Sequence, residues 1–351
     1  MGSAVLQEDL QTIANTETDL SPLDGATVFI TGASGFIGSL LVRSLLEIRR
    51  SRHVDVHILA QIRDEQKAEK IFGAKEVNEG ALTFVCGDIR SPIQVSENLE
   101  YIIHTACVTT SKTMVTHPAE TIDTAILGTR NILQLAREKK IRNLLYLSSM
   151  EMYGDVGAET AHEKVLGYID LSQVRSCYPE SKRMCECMIQ AWSQEYGIPF
   201  CTVRLAQVFG PGIQPGENRV FAQFARSVIE GRNIVLHTPG MSEGNYCYSA
   251  DAVKALLFLL LHGENRETYN VVNESTHMRI CDMAEMVADH VAGGQIKVIR
   301  KIPEESKNLG YAADVHLKLS AEKLRRLGWV PEVGLQEAYE RLIRYMRETG
   351  V

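Results

Sequence analysis

Tyr178 and Lys182 stand four positions apart. On a helix that spacing puts both side chains on one face. An ammonium beside a phenol favours the phenolate and lowers its pKa. Tyr178 is therefore expected to act as a base that takes a proton from a sugar or alcohol hydroxyl while hydride leaves the carbon. A second run, Ser148-Ser149-Met150-Glu151-Met152-Tyr153-Gly154, follows an apolar stretch. A hydroxyl at a strand end can hydrogen-bond the reacting oxygen and share its proton with Tyr178, and Ser149 is assigned that part; the plainer alternative is a serine that caps a turn. Glu151 could abstract a proton alpha to a new ketone, or bind a substrate hydroxyl. Met150 has no proton to exchange and reads as a wall of the substrate pocket.

Such chemistry needs a hydride acceptor, and the chain has a place for one. Thr31-Gly32-Ala33-Ser34-Gly35-Phe36-Ile37-Gly38 follows the apolar run Val28-Phe29-Ile30. Glycines at that spacing allow a tight turn, close approach of a pyrophosphate to backbone N–H groups, and close packing of the helix on the sheet. Gly32, Ser34, Gly35, Phe36, Ile37 and Gly38 form the expected cradle. Asp88 and Ile89 follow a later strand and are placed at the adenine; alternatively Asp88 caps the next turn. Thr105 and Ala106, after a fourth strand, join the cofactor set. Lys182 and Tyr178 are assigned to its nicotinamide end. The second strand is read as ending near Ala60, where an NAD enzyme usually carries an acid for the ribose diol. Arg63 could neutralise a 2′-phosphate instead, and Asp64 falls late. NAD is the expected cofactor, with NADP as the alternative.

The elements that must position these groups follow from periodicity. Strands are expected at Val54–Ala60, Ala81–Cys86, Tyr101–Thr105, Leu144–Ser148 and Phe200–Leu205, with helices over 36–49, 119–138 and 178–196. Strands alternating with helices argue a doubly wound parallel sheet of the α/β class, with ligand beyond the strands' carboxyl ends. The reading divides the chain into an N-terminal extension over 1–24, a mainly dinucleotide-binding part over 25–210 and a mainly substrate-binding α/β part over 211–351. That last part is interleaved with the final elements of the sheet. Its helices are expected at 219–230, 250–261, 278–290, 320–327 and 334–347. The extension reads as either a docking helix or a disordered tail.

Composition sets outer limits. With 351 residues, 45% of them hydrophobic and 23% charged, the chain has the make-up of an ordinary globular protein. Its net charge of -7 offers no basic field for nucleic acid or anionic lipid. No apolar run is long enough to span a bilayer. No leader is visible, so a cytoplasmic protein with eight reduced cysteines is expected. Cys185 and Cys187 lack a second pair at finger-like spacing, and His104, His117 and His162 have no ligand spacing, so no metal site is expected. Thr109, Met150, Glu151, Gln207, Asn218, Arg219 and Asn245 are the expected substrate contacts.

The glycine loop, the Ser148–Gly154 run and Tyr178-Pro179-Glu180-Ser181-Lys182 resemble the extended short-chain dehydrogenase/reductase superfamily, and within it the nucleotide-sugar epimerase/dehydratase/decarboxylase branch. The resemblance spans about residues 25–348 and takes in Arg204–Gly212 and Leu327-Gly328-Trp329. It implies a Rossmann-type domain with a smaller domain that grips a nucleoside-diphosphate sugar, a homodimer joined through parts of 119–138 and 178–196, and a cofactor that takes hydride and returns it. Tyr178 would be the base, Lys182 its partner and Ser149 the hydroxyl donor. The chain departs from the pattern in four places. Met150 replaces the aspartate of the 4,6-dehydratases, and Gly244 stands where the decarboxylases carry a substrate-holding arginine. Gln207 and Ala125 replace two usual asparagines. The expected activity is epimerisation through transient oxidation of a sugar hydroxyl at C4. Decarboxylation or 4,6-dehydration using Glu151 is the alternative, and a catalytically inactive dinucleotide-binding scaffold is the alternative of another kind.

Overall fold

The computed structural model describes residues 3–73, 80–302 and 314–351; the first two residues of the expected extension lie outside them. Strands β1 (Thr27–Thr31), β2 (His57–Ile62), β3 (Leu82–Cys86), β4 (Tyr101–His104), β5 (Asn143–Ser149) and β6 (Phe200–Leu205) alternate with helices. These are α1 (Ala4–Ala14), α2 (Phe36–Arg52), α3 (Glu65–Phe72), α4 (Ser111–Thr116), α5 (Pro118–Lys139) and α6 (Cys177–Tyr196). The remainder contributes β7 (Gln207–Phe209), α7 (Val220–Ile229), β8 (Ile234–Leu236), β9 (Glu243–Tyr248), α8 (Ser249–His262), β10 (Glu267–Val271), β11 (Asn273–Arg279), α9 (Ile280–Met286), β12 (Val298–Arg300), α10 (Glu322–Arg326) and α11 (Leu335–Thr349).

The main sheet has seven strands in the order β10-β6-β5-β4-β1-β2-β3, all paired in parallel. Its strands are apolar on both faces, as a parallel sheet covered by helices requires. Alternation within each strand assigns residues to opposite cores. Val28, Ile30, Ile103, Leu145 and Leu147 join the core that holds Leu41 and Leu45 of α2 and Leu256 of α8. Phe29, Ile102, Leu144 and Tyr146 join the core that holds Ile132 and Leu133 of α5 and Cys185 and Ile189 of α6. The Rossmann-type sheet is thus buried on both sides. β10, which lies beyond residue 211 in sequence, supplies its last strand.

A smaller α/β region carries the sheet β11-β9-β7 and the parallel pair β12-β8. Two elements differ from the periodicity reading here. Met278 and Arg279, expected to open a helix, pair with Gly244 and Glu243 as the end of β11, and the helix begins at Ile280. It then widens into a π turn over Val287–Val291. The extension is a docked helix, not a tail. Val5, Leu6, Leu10 and Ile13 of α1 are buried, and the helix packs on α2, α8 and α11.

Candidate active site

β5 ends at Ser149, and the chain turns at once through a single 3-10 turn over Met150–Tyr153. Ser149 caps that turn: its Oγ accepts from the Glu151 N–H at 3.2 Å. The capping reading of this serine holds, and its side chain stands close enough to Tyr178 to favour the phenolate. Tyr178 and Lys182 lie in the first two turns of α6, 7% and 4% exposed. The Lys182 ammonium donates to the Leu147 carbonyl at 2.7 Å and sits 4.9 Å from the Tyr146 ring centre and 5.9 Å from that of Tyr178. Helix and strand end thus bring Ser149, Tyr178 and Lys182 into one place.

The phenol is not acidified on balance. Burial pushes Tyr178 up to about 12; Lys182 pulls it down, Cys107 and Glu151 push it further up, and the nearby Ser149 hydroxyl favours the phenolate. The expectation that Lys182 would lower the phenol's pKa gave the right sign to the lysine and omitted the larger cost of burying the phenolate. Burial also penalises the Lys182 ammonium, yet Cys107, Tyr178, Cys185 and Glu186 hold it above its ordinary value.

Glu151 has a partner that the sequence reading missed. Arg175, on the short turn Val174–Ser176 before α6, donates through Nη2 to both Glu151 oxygens, at 3.0 and 2.8 Å. Its guanidinium carbon lies 5.5 Å from the Tyr178 ring centre. Ser176 and Asp170 fix this turn: Ser176 Oγ donates to the Asp170 carbonyl at 2.6 Å, and the Asp170 carboxylate accepts from Ser172 and Gln173. Nothing in the spacing pairs residues 151 and 175. The only local signal is a basic residue shortly before Tyr178.

The glycine loop connects β1 to α2, and Gly35 caps the helix without any side-chain hydrogen bond. The first N–H groups of α2 are thus free of side-chain partners, as binding an anion there requires. Gly32 has φ +61°, and a Cβ on it would lie 2.9 Å from Ala106 Cα. A Cβ on Gly38 would meet the Gly32 carbonyl at 2.3 Å, so helix and turn touch backbone to backbone. Thr105 and Ala106 seal this contact: both donate their N–H to Thr31 Oγ1, and Thr105 Oγ1 donates to the Thr31 carbonyl. The loop and residues 105–106 lie between β1 and β4, where strand order reverses and α/β sheets bind ligands. Ser34, Phe36 and Ile37 are partly exposed along the loop. These residues fit a dinucleotide.

The ribose side differs from its sequence reading. β2 runs to Ile62, two residues past the expected end at Ala60, and Ala60 is buried within the sheet. The next residue, Gln61, accepts from the Gly32 N–H at 3.2 Å and donates to the Gly87 carbonyl at 2.6 Å. This buried amide ties the glycine turn to the end of β3, and sequence reasoning passed over it. Arg63 is exposed just after the strand, and Asp64 caps α3 by accepting from the Lys67 N–H at 2.9 Å. Asp88 pairs with Arg90 at 2.6 Å, whose hydrogen bond holds the carboxyl below its usual range. Ile89 is buried against Gly128 of α5, with little surface for an adenine. His104 is a satisfied core histidine. It hydrogen-bonds Thr31 at 2.8 Å and Thr129 at 3.2 Å, and burial with nearby Lys182 pushes it down to about 3.

The other expected substrate contacts differ in exposure and partners. Met150 is half-buried on the Ser149 turn, and Thr109 is exposed before α4. Gln207 is half-buried in β7, paired with Tyr246. Asn218 is exposed, and Arg219 pairs with Glu217 at 2.5 Å. Asn245 is corrected to a structural role. It is 1% exposed, accepts from the Leu319 N–H at 2.8 Å and donates toward the carbonyls of Asn273 and Glu274. Every polar atom of its side chain joins chain segments together. Among the described residues no cluster of three metal-ligating side chains occurs, and no helix is long and apolar enough to cross a membrane.

Residues 28–272 match the model of the NAD dependent epimerase/dehydratase family. The chain belongs to that family. It is 27% identical over 313 residues to UDP-glucuronic acid decarboxylase 6 of Arabidopsis thaliana, covering 88% of this chain and 85% of that one. The UDP-glucose 4-epimerase of Thermus thermophilus, solved in complex with NAD, superposes with a TM-score of 0.71 at 26% identity, over 92% of this chain and 99% of that one. The UDP-glucose 4-epimerase of Thermotoga maritima, solved with UDP-glucose, gives 0.76 at 22% identity over 93% and 100% and so shares the fold. Family membership supports an NAD-dependent activity of the nucleotide-sugar epimerase, dehydratase or decarboxylase kind.

Proposed function

We propose that the protein epimerises a nucleoside-diphosphate sugar by transient oxidation of a ring hydroxyl, with C4 as the reacting carbon and NAD as the cofactor. Bound NAD would supply the hydride-accepting and hydride-returning chemistry at the carbinol carbon. Gly32, Gly35 and Gly38 would hold its pyrophosphate, and Lys182 and Tyr178 would face its nicotinamide end. The Tyr178 phenolate takes the hydroxyl proton as the C–H electron pair departs with the hydrogen, and a carbonyl forms. Ser149 holds the reacting oxygen through both stages. After the sugar turns, Tyr178 would return the proton to the oxygen while the carbon, presented by its other face, is reduced again. Nothing is gained or lost overall.

The observation that carries this reading is the combination at the end of β5. Ser149, Tyr178 and Lys182 are the proton-handling groups that reversible oxidation of a hydroxyl needs beside a hydride acceptor. Both Glu151 oxygens face the Arg175 guanidinium, and Met150 offers no proton for expelling a hydroxyl. The likeness to the Arabidopsis decarboxylase supports a second reading. A uronic acid oxidised at C4 becomes a beta-keto acid and loses carbon dioxide readily. Arg63 after β2 keeps NADP as the cofactor alternative, and the family resemblance supports a homodimer.

Mass spectrometry of products formed from a panel of nucleoside-diphosphate hexoses and uronic acids, with NAD and NADP supplied separately, tests the proposal. An unchanged mass with altered sugar chromatography is expected. Loss of water or of carbon dioxide would overturn it in favour of dehydration or decarboxylation. No transient nicotinamide reduction with any sugar would leave a binding protein without chemistry.

A further inference from the structure

The Arg175 guanidinium divides its donors unevenly. Nη2 serves both oxygens of Glu151, while Nη1 is buried without any hydrogen-bond partner. A buried unpaired N–H donor calls for an acceptor. This one lies on an arginine beside the Tyr178 ring, within the site already proposed to oxidise a sugar. A guanidinium presents its N–H groups in a planar fork, so one edge can hold Glu151 while the other meets a ligand.

We infer that the Glu151–Arg175 pair reads the sugar ring and selects an uncharged hexose over a uronic acid. The inference rests on the nucleotide-sugar reading above. The pair has no net charge. A hydroxyl suits both of its halves: the hydroxyl oxygen accepts from Arg175 Nη1, and its proton goes to Glu151. A carboxylate suits neither half, because its only cation already holds an anion 2.8 Å away. Two carboxylates on one guanidinium repel each other, and like charges brought together select against the wrong ligand. The nearby Lys182 gives no relief, since it is buried and held by the Leu147 carbonyl. Gly244 has no side chain to offer.

Calorimetric titration of the NAD-loaded protein with UDP-glucose and with UDP-glucuronic acid tests this, repeated with the thymidine nucleotides. The wild type is expected to bind the hexose about tenfold tighter or more. Glu151→Gln uncovers the guanidinium charge and is expected to move the affinity ratio toward the uronic acid by about tenfold. The double variant Glu151→Gln, Arg175→Gln is expected to lose that gain. Arg175→Lys keeps the charge and should keep the wild-type preference for the hexose, which separates charge from a folding defect. Equal or tighter binding of the uronic acid by the wild type would overturn the inference, as would an unchanged ratio in Glu151→Gln. Failure of every sugar nucleotide to bind would overturn the nucleotide-sugar reading as well. Selective hexose binding without an epimeric product would overturn only the reaction.

Discussion

In the proposed reaction Tyr178 is the base, and its surroundings set its pH response. Its phenol is pushed up to about 12 chiefly by burial, so only a small fraction is phenolate near neutrality. That fraction grows about tenfold per pH unit below the pKa. The initial rate of nicotinamide reduction driven by the sugar should therefore climb steadily between pH 7 and 9. A flat profile would remove Tyr178 as the base. Tyr178→Phe should lower turnover by about a hundredfold or more while cofactor titration stays unchanged, because only the transferred proton is lost. At this scale Tyr178, Lys182 and Ser149 were legible from their types and spacing. The balance of charges on them was not, because it depends on Cys107 and on the depth of burial.

Among the elements, α1 makes a contact that its polar sequence did not settle. Asp9 is 4% exposed on this helix, accepts from the Tyr248 hydroxyl at 2.6 Å and pairs with Arg341 of α11 at 3.1 Å. Burial raises it to about 6, against the pull of Tyr248 and Arg341 and with a further push from Glu8 and Asp251. Asp251 of α8, which accepts from the N–H groups of Glu332 and Val333, is likewise raised to about 6 by burial, with Lys254 opposing and Glu332 adding. A carboxyl raised on folding binds its proton more tightly in the native state. Its stabilisation is therefore complete below the unfolded value of 3.8 and is lost as pH rises through about 6. Melting curves should show a loss of about 3 kcal/mol attributable to Asp9 across that window. Asp9→Asn should flatten the dependence there. An identical pH profile in the variant would show that Asp9 does not titrate in the docked helix.

On the scale of the whole molecule, strand order decides where chemistry can occur. The reversal between β1 and β4 opens the sheet beside the glycine turn, and β5, next in order, delivers Ser149 at its carboxyl end. α5 and α6 pack together over the same face of the sheet. They leave Ile122 and Met184 43% and 54% exposed. A homodimer formed through these helices would cover both side chains. Sedimentation should give twice the chain mass, and Ile122→Lys combined with Met184→Lys should give a single chain with an unchanged melting profile. A wild type that sediments as a single chain would exclude this assembly.

The sequence by itself determined the class of fold and named the groups proposed for the chemistry. Alternating apolar strands, the three spaced glycines and the Tyr178–Lys182 interval are local patterns, and local patterns follow from the geometry of strand, turn and helix. Phe200–Leu205 shows how far that goes, since strand β6 has the bounds read from periodicity. What required tertiary structure was every relation across long stretches of chain. Glu151 and Arg175 are 24 residues apart and meet only because β5 and α6 are packed side by side. Gln61 reaches Gly32 and Gly87 only across the ends of β1, β2 and β3. Asn245 looked like a ligand contact and proved to be a brace, because Leu319 is folded against it from 74 residues away. A side chain's type states which hydrogen bonds it can make. Only the packing of distant segments decides which of them remain for a substrate.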